Sequence, residues 1–457
     1  MVNQMTASPA VVHLTGRRMA WGAAVILFVL YGFLSVLRHH QMLTTGYDLG
    51  IFEQEVRSYA AGLWPTSLLK GPNYPLLGDH FSPIIATIAP FYLVFPRVET
   101  LLIAQALLVA LGVVPLMLWA RRAVGFAASI VVGVGYGLSW GIAEAVKFDF
   151  HEIAFAVPLL AFSLSALGQG RLRSAVLWAA PLIFVKEDLG LTFAVIGALA
   201  AWRGARAWGI AAAALGVAAT VVEMRLIIPL VNPDGANAYT GQVRIADAFD
   251  QLLGLPTNVS QLTTIILMLA PTAFLAVRSP LVLAVVPTLL WRFLSDNIRY
   301  WGTSFHYSAV LMPIVFAAFI DGLVRLRGRR SPWLVASGIV TATLFLSSPF
   351  LQLLQPSLWT PNSRISATRE VLARIPDGAT VAASNSLVPQ LTARAEVSLL
   401  GMTPLEVAHP EYIVADTEQK RQYPIGSVMI KRLLVDAERG AYRSLYDEDN
   451  LTLLRRN

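Results

Sequence analysis

Long apolar runs recur along the whole chain, and nothing else constrains the fold as much, because a helix of about 20 apolar residues is what crosses a hydrocarbon core of roughly 30 Å. The first run, Met19 to Leu37, follows Arg17 and Arg18. It reads as a retained signal anchor, since Leu37-Arg38-His39-His40 follows it instead of a small-residue cleavage site. Further runs lie near 99–119, 124–143, 153–169, 174–185, 189–202, 206–228, 259–277, 280–294, 307–324 and 332–350. Together they predict an all-α polytopic membrane protein of about eleven spanning helices. Residues 81–95, interrupted by Pro83 and Pro90, read as an interfacial helix. Composition agrees, because 56% hydrophobic and 14% charged residues leave too little polar surface to coat a soluble protein of 457 residues.

Arginine placement gives the expected orientation. With residues 1–18 in the cytoplasm, Arg121/Arg122, Arg171/Arg173, Arg203/Arg206, Arg278 and Arg325/Arg327/Arg329/Arg330 all fall on the same side as Arg17 and Arg18. Counting 81–95 as a span would send every later arginine loop outside. The formal net charge of +7 is therefore read as a topology signal, and no nucleic-acid partner is expected. The absence of cysteine removes disulfides, thiolate metal sites and a cysteine nucleophile. Walker, Rossmann and serine-triad signatures are missing too. The expected organisation is a cytoplasmic N-terminus (1–18), a transmembrane domain (19–350) whose first external loop spans 38–98, and an extracytoplasmic α/β domain (351–457).

This topology sends Asp48, Glu53, Asp79, His80, Asp149, His151, Glu152, Glu187, Asp188 and His306 to the external face. Most lie in Gly46-Tyr47-Asp48-Leu49-Gly50, Gly78-Asp79-His80-Phe81-Ser82-Pro83, Lys147-Phe148-Asp149-Phe150-His151-Glu152 and Lys186-Glu187-Asp188. Ionisable groups at a membrane boundary are costly to bury and mark functional cavities. Plain solvated loop residues are the alternative, with Lys147 pairing to Asp149 or Glu152 and Lys186 to Glu187 or Asp188. Metal ligation by Asp79-His80 and Asp149-x-His151-Glu152 is a second reading, and it leaves a divalent metal as an open cofactor.

Residues 351–457 change in composition. Helical spacing covers 361–375 and 426–438, and strand-like runs cover Ala379–Ala383, Glu396–Leu400, Glu411–Ala415 and 451–455. The segment Ala383-Ser384-Asn385-Ser386-Leu387 can be a strand-end loop facing a ligand, although a simple turn is the favoured reading.

The stretches GYDLGIFEQ, GDHFSP, FDFHE, VKEDLG and VAASNSLVPQLTAR resemble the DUF2079 family of bacterial and archaeal multi-pass membrane proteins, over nearly the whole chain. That family is similar to the C-type (GT-C fold) membrane glycosyltransferases, whose first external loop carries an essential acid just after the first span. The resemblance implies Asp48 as a general base for transfer of a sugar from a polyprenyl-phosphate donor to a cell-envelope glycan, lipid or protein acceptor. Asp48 lacks a neighbouring acid, and Gln390 stands where the resemblance leads one to expect histidine. Of the external-side cations Arg57, Lys70, Arg97, Lys147, Lys186, Arg225, Arg292 and Arg299, the resemblance favours Lys147 and Lys186 for the phosphate. Two rival functions stay open, a transporter or lipid flippase with an external polar cavity and a non-enzymatic assembly or sensor protein.

Overall fold

The computed structural model describes residues 9–237, 257–326, 328–418 and 422–457, so the expectation for Arg327 lies outside the described residues. The first helix, α1 (Pro9–His40), overruns its apolar core at both ends, and Arg38, His39 and His40 occupy its last turn, where positive charge suits the helix dipole. Among the described residues, four helices are long and apolar enough to cross a membrane: Thr15–His40, Glu99–Ala123, Phe126–Lys147 and Arg206–Val231. Glu152–Gly168, Leu172–Phe184, Leu189–Trp202, Val259–Thr272, Pro280–Phe293 and Ser331–Phe345 are shorter apolar helices. Leu311–Arg325 runs through the middle of the bundle and is buried on all sides from Leu311 to Leu323, as a helix apolar all round must be.

The helices alternate between two ends. At one end the arginine loops touch each other: Arg122 Nη1 donates to Gln169 Oε1 (3.0 Å), Arg203 Nη1 to the Leu167 carbonyl (2.7 Å), and Arg325 Nε to Asp321 Oδ2 (2.6 Å). At the other end Arg38 Nε donates to the Lys147 carbonyl (2.8 Å) and its Nη1 to Gln352 Oε1 (2.7 Å). The acids and histidines gather at this second end.

Residues 81–95 form a 3₁₀ turn, Pro83–Ile88, followed by a short helix, Ala89–Val94. Ile85, Ile88 and Tyr92 pack on Leu49, Phe52 and Val56, so one face lies on the protein. The other face leaves Phe91, Leu93, Val94 and Phe95 66–68% exposed. This two-faced segment is shorter than the about 20 residues a span requires.

The C-terminal part is an α/β layer. Strands β1 (Thr66–Ser67) and β2 (Tyr74–Pro75) form a small separate ribbon, while β3 (Thr380–Ala383), β4 (Glu396–Leu399), β5 (Tyr412–Asp416), β6 (Tyr442–Glu448) and β7 (Leu451–Arg456) make a sheet ordered β4-β3-β5-β7-β6. β3 is parallel to β4 and β5, and β7 antiparallel to β5 and β6. Side chains alternate faces along each strand. Val381 and Ala383 pack with Val371 and Leu372 of the helix Ser363–Ala373 and with Met42, Ile51, Leu69 and Leu76. Ala382 and Ile413 face Ile430 and Leu434 of the helix Ser427–Arg439. The edge strand β6 escapes sequence reading because only Tyr442 of its seven residues is buried, which erases the period-two signal.

The sheet layer is thus fastened to the segment after α1. Gly46 N donates to the Asn385 carbonyl (2.7 Å), and the Val388 side chain fills the space where a Cβ on Gly46 would lie. A Cβ on Gly50 would sit 2.8 Å from Val388 Cγ1. Close approach of Val388 is what demands these glycines, and the non-helical residues between them are Tyr47 (φ −83°, ψ 74°) and Asp48 (φ 157°, ψ −77°). Gly46→Ala should cost about 1–3 kcal/mol by overpacking. Adding Val388→Ala should return part of it, measured as melting temperature in detergent; a double variant melting below Gly46→Ala would contradict this packing.

Candidate functional site

Loops and helix ends from eight stretches of the chain enclose a cavity of about 850 Å³ at the acidic end of the bundle. Asp48 enters it on the turn between α1 and α2 (Ile51–Ala60). That turn is held on two sides: Thr45 N and Oγ1 donate to Asp149 Oδ2 (3.0 and 2.5 Å), and Tyr47 N donates to Asn385 Oδ1 (2.8 Å). The Asp48 carboxylate is 31% exposed, so a ligand in the cavity can reach it.

Most ionisable groups around the cavity are paired. Lys70 Nζ lies 2.7 Å from Asp79 Oδ2, Lys186 Nζ 2.8 Å from Glu152 Oε1, and His80 Nδ1 2.7 Å from Glu187 Oε1. His151 Nε2 is 3.3 Å from Asp48 Oδ1, and its ring stacks on His306 with centroids 3.4 Å apart. Burial would depress the His151 pKa, but Asp48 outweighs it and raises it. His306 has only the penalties, burial first and then the neighbouring His151, and is held neutral. One charge per stack is what two imidazoles in contact can carry. Burial lifts Asp188 to about 6 in spite of Lys186 nearby. Burial likewise opposes the Lys186 charge, yet the Glu152, Glu187 and Asp188 carboxylates hold it protonated above the ordinary lysine range.

Aromatic rings form much of the remaining wall. Tyr47 meets Tyr423 at 4.4 Å between centroids, and Trp291, Tyr300 and Tyr307 cluster across the cavity. Arg299 adds a guanidinium at the rim. Among the described residues, no three His, Asp or Glu side chains converge to hold a metal ion, so the metal-binding reading of Asp79-His80 and Asp149-x-His151-Glu152 gains no geometric basis.

The family described as "Predicted membrane protein (DUF2079)" matches residues 38–453. The chain belongs to that family. No curated protein matches it in sequence. Among solved structures, the crystal structure of ArnT from Cupriavidus metallidurans bound to undecaprenyl phosphate is similar, with a TM-score of 0.57 and 13% identity, covering 94% of this chain and 97% of that one. The likeness shows a shared fold, the GT-C architecture.

Within this DUF2079 fold, Asp48, Asp79, His80, His151, Glu152, Lys186, Glu187, Asp188 and His306 all line the cavity. Three expected residues do not. Glu53 is buried in the first turn of α2 and accepts a hydrogen bond from the Tyr92 hydroxyl. Asp149 faces Thr45, and burial raises it to about 7 despite the Thr45 hydrogen bonds. Lys147 pairs with Glu144 (3.0 Å) on the same helix face, three residues back, and not with Asp149 or Glu152. Lys186 likewise reaches across to Glu152 instead of pairing with its sequence neighbours. Two of the remaining cations serve the backbone: Arg57 Nη1 donates to the Thr392 carbonyl (2.9 Å), and the buried Arg292 donates from Nε to the Tyr300 carbonyl (2.8 Å). Gln390, in the late motif, donates to the His39 carbonyl (3.0 Å) outside the cavity.

Sequence reading missed the aromatic wall of Trp291, Tyr300, Tyr307 and Tyr423, and it passed over two polar wall residues that matter for the site. Asn385 belongs to a loop read as a simple turn, yet it lines the cavity and holds Tyr47. Glu55 also lines it, one turn along α2 from Phe52, which faces the same cavity.

Proposed function

We propose that this chain is a membrane glycosyltransferase that moves a sugar from a polyprenyl-phosphate donor to an acceptor at the external face, with Asp48 as the general base. The observation that carries the reading is the accessible Asp48 carboxylate, set in a polar cavity on a turn fixed by Asp149 and Asn385. An acceptor hydroxyl beside Asp48 attacks the anomeric carbon as the carboxylate takes its proton. The carbon–oxygen bond to phosphate breaks, its electron pair leaves with the polyprenyl phosphate, and Lys186 and Arg299 are the wall cations suited to that charge. The acceptor is a cell-envelope glycan, lipid or protein. ArnT, of similar fold, is seen with undecaprenyl phosphate, which supports a lipid-phosphate ligand here.

Purified protein incubated with polyprenyl phosphate carrying radiolabelled sugar tests the chemistry. Transfer of label with release of polyprenyl phosphate is the expected result; a lipid moved between leaflets with its sugar intact would point to a flippase.

The orientation is tested separately, since the chain has no cysteine and single thiols can be placed freely. Thiols at the exposed Arg173 and Gly328, at the arginine-rich end, should be protected from an impermeant reagent in intact cells. Thiols at the exposed Ala236 and Asp377 should label. The reverse pattern would invert the topology and place the cavity in the cytoplasm.

A further inference from the structure

Glu55 stands apart from the other acids of the cavity wall. Asp48, Asp79, Glu152 and Glu187 each have a basic side chain within 3.3 Å, and Asp188, without an ion pair of its own, still feels the charge of Lys186; among the described residues Glu55 has neither an ion pair nor a neighbouring cation. Its side chain is 1% exposed, its Oε1 is buried without a hydrogen-bond partner, and among the described residues neither oxygen makes an ion pair. The titratable groups facing it are Glu152, already held by Lys186, Asp79, already held by Lys70, and Tyr59 one turn further along α2. A second negative charge in that position is penalised by burial and then by both carboxylates, which drive its pKa well above the usual range. A wall acid that stays neutral is a hydrogen-bond donor. An anionic ligand in a cavity rimmed by carboxylates needs such a donor, because it adds no repulsion, and a neutral carboxylic acid is known to serve an oxyanion in this way. A hydroxyl ligand, in contrast, could be recognised by any of the ionised acids.

We propose that Glu55 is a ligand-binding residue that presents a carboxylic-acid O–H to a phosphoryl oxygen of a lipid phosphate held in this cavity. The inference rests on the lipid-phosphate reading above and assigns a residue to it. The sign of its pH dependence follows: below its raised pKa Glu55 donates, and as pH rises through that pKa the ionised carboxylate repels the phosphate.

Binding of radiolabelled undecaprenyl phosphate to the full chain in detergent, measured between about pH 6 and pH 9, tests it. The ionisation of the lipid's own phosphate affects every variant, so Glu55→Gln, neutral at all pH and still a donor, is the reference. Wild type should lose about tenfold more affinity than Glu55→Gln across the range, which corresponds to one unit of coupled pKa shift. Glu55→Ala, lacking a donor, should bind more weakly than Glu55→Gln at pH 6, with melting temperature followed to show that it is folded. Undecaprenol should show no such divergence, and millimolar inorganic phosphate should not displace the lipid. Parallel curves for wild type and Glu55→Gln would overturn the Glu55 assignment alone. Divergence with undecaprenol would exclude phosphate as the partner, and displacement by inorganic phosphate would exclude a lipid-specific site. Absence of lipid binding in every variant at pH 6 would instead overturn the reading of the cavity itself.

Discussion

Asp48→Asn should lower sugar transfer by about 10²–10⁴-fold, the usual contribution of a positioned general base. Shape and hydrogen-bonding size are kept, so expression and lipid binding should change little. The competing explanation for an aspartate here is helix capping, which Asn performs nearly as well as Asp. That explanation fits the structure poorly, because α2 begins without a side-chain cap hydrogen bond. The Asp48 side chain instead points into the cavity beside His151. Transfer by Asp48→Asn at close to the wild-type rate would remove Asp48 from the chemistry.

Lys186→Met should be the most damaging single change to stability. Glu152 is 1% exposed, and Lys186 is its partner at 2.8 Å. Removing one member of a buried pair strands the other charge, at a cost of about 3–5 kcal/mol. Glu152→Gln in the same chain removes the stranded charge, so the double variant should regain most of the loss. The readout is the melting temperature and folded yield in detergent. If Lys186→Met and the double variant melt together, Glu152 is not stranded and the pairing contributes little. A double variant that is folded but inactive would assign the pair to ligand binding as well as to packing.

Helix content and the gathering of polar residues at one end were legible in the sequence because both follow from hydropathy and arginine placement, which are local signals. The helix Ser363–Ala373 and strands β3, β4, β5 and β7 were legible as well, since each has one or two buried faces. Pairing was not. Lys147 and Lys186 each sit next to acids in sequence, yet one turns back to Glu144 and the other crosses to Glu152, a choice made by tertiary packing. Asp149 looked like a cavity acid for the same reason, and only the fold shows it occupied with Thr45. Asn385 was hidden by distance along the chain, because its contact with Tyr47 spans 338 residues. Glu55 sits on α2 one turn from Phe52, but sequence alone does not reveal that it lacks a cationic partner.

A cryo-EM map of the protein with undecaprenyl phosphate tests the central claim most directly. The account predicts the phosphate inside the cavity, with Asp48, Glu55 and Lys186 around it and the isoprenoid chain leaving between helices towards the lipid. A phosphate bound at the arginine-rich end, with this cavity holding only water, would contradict it.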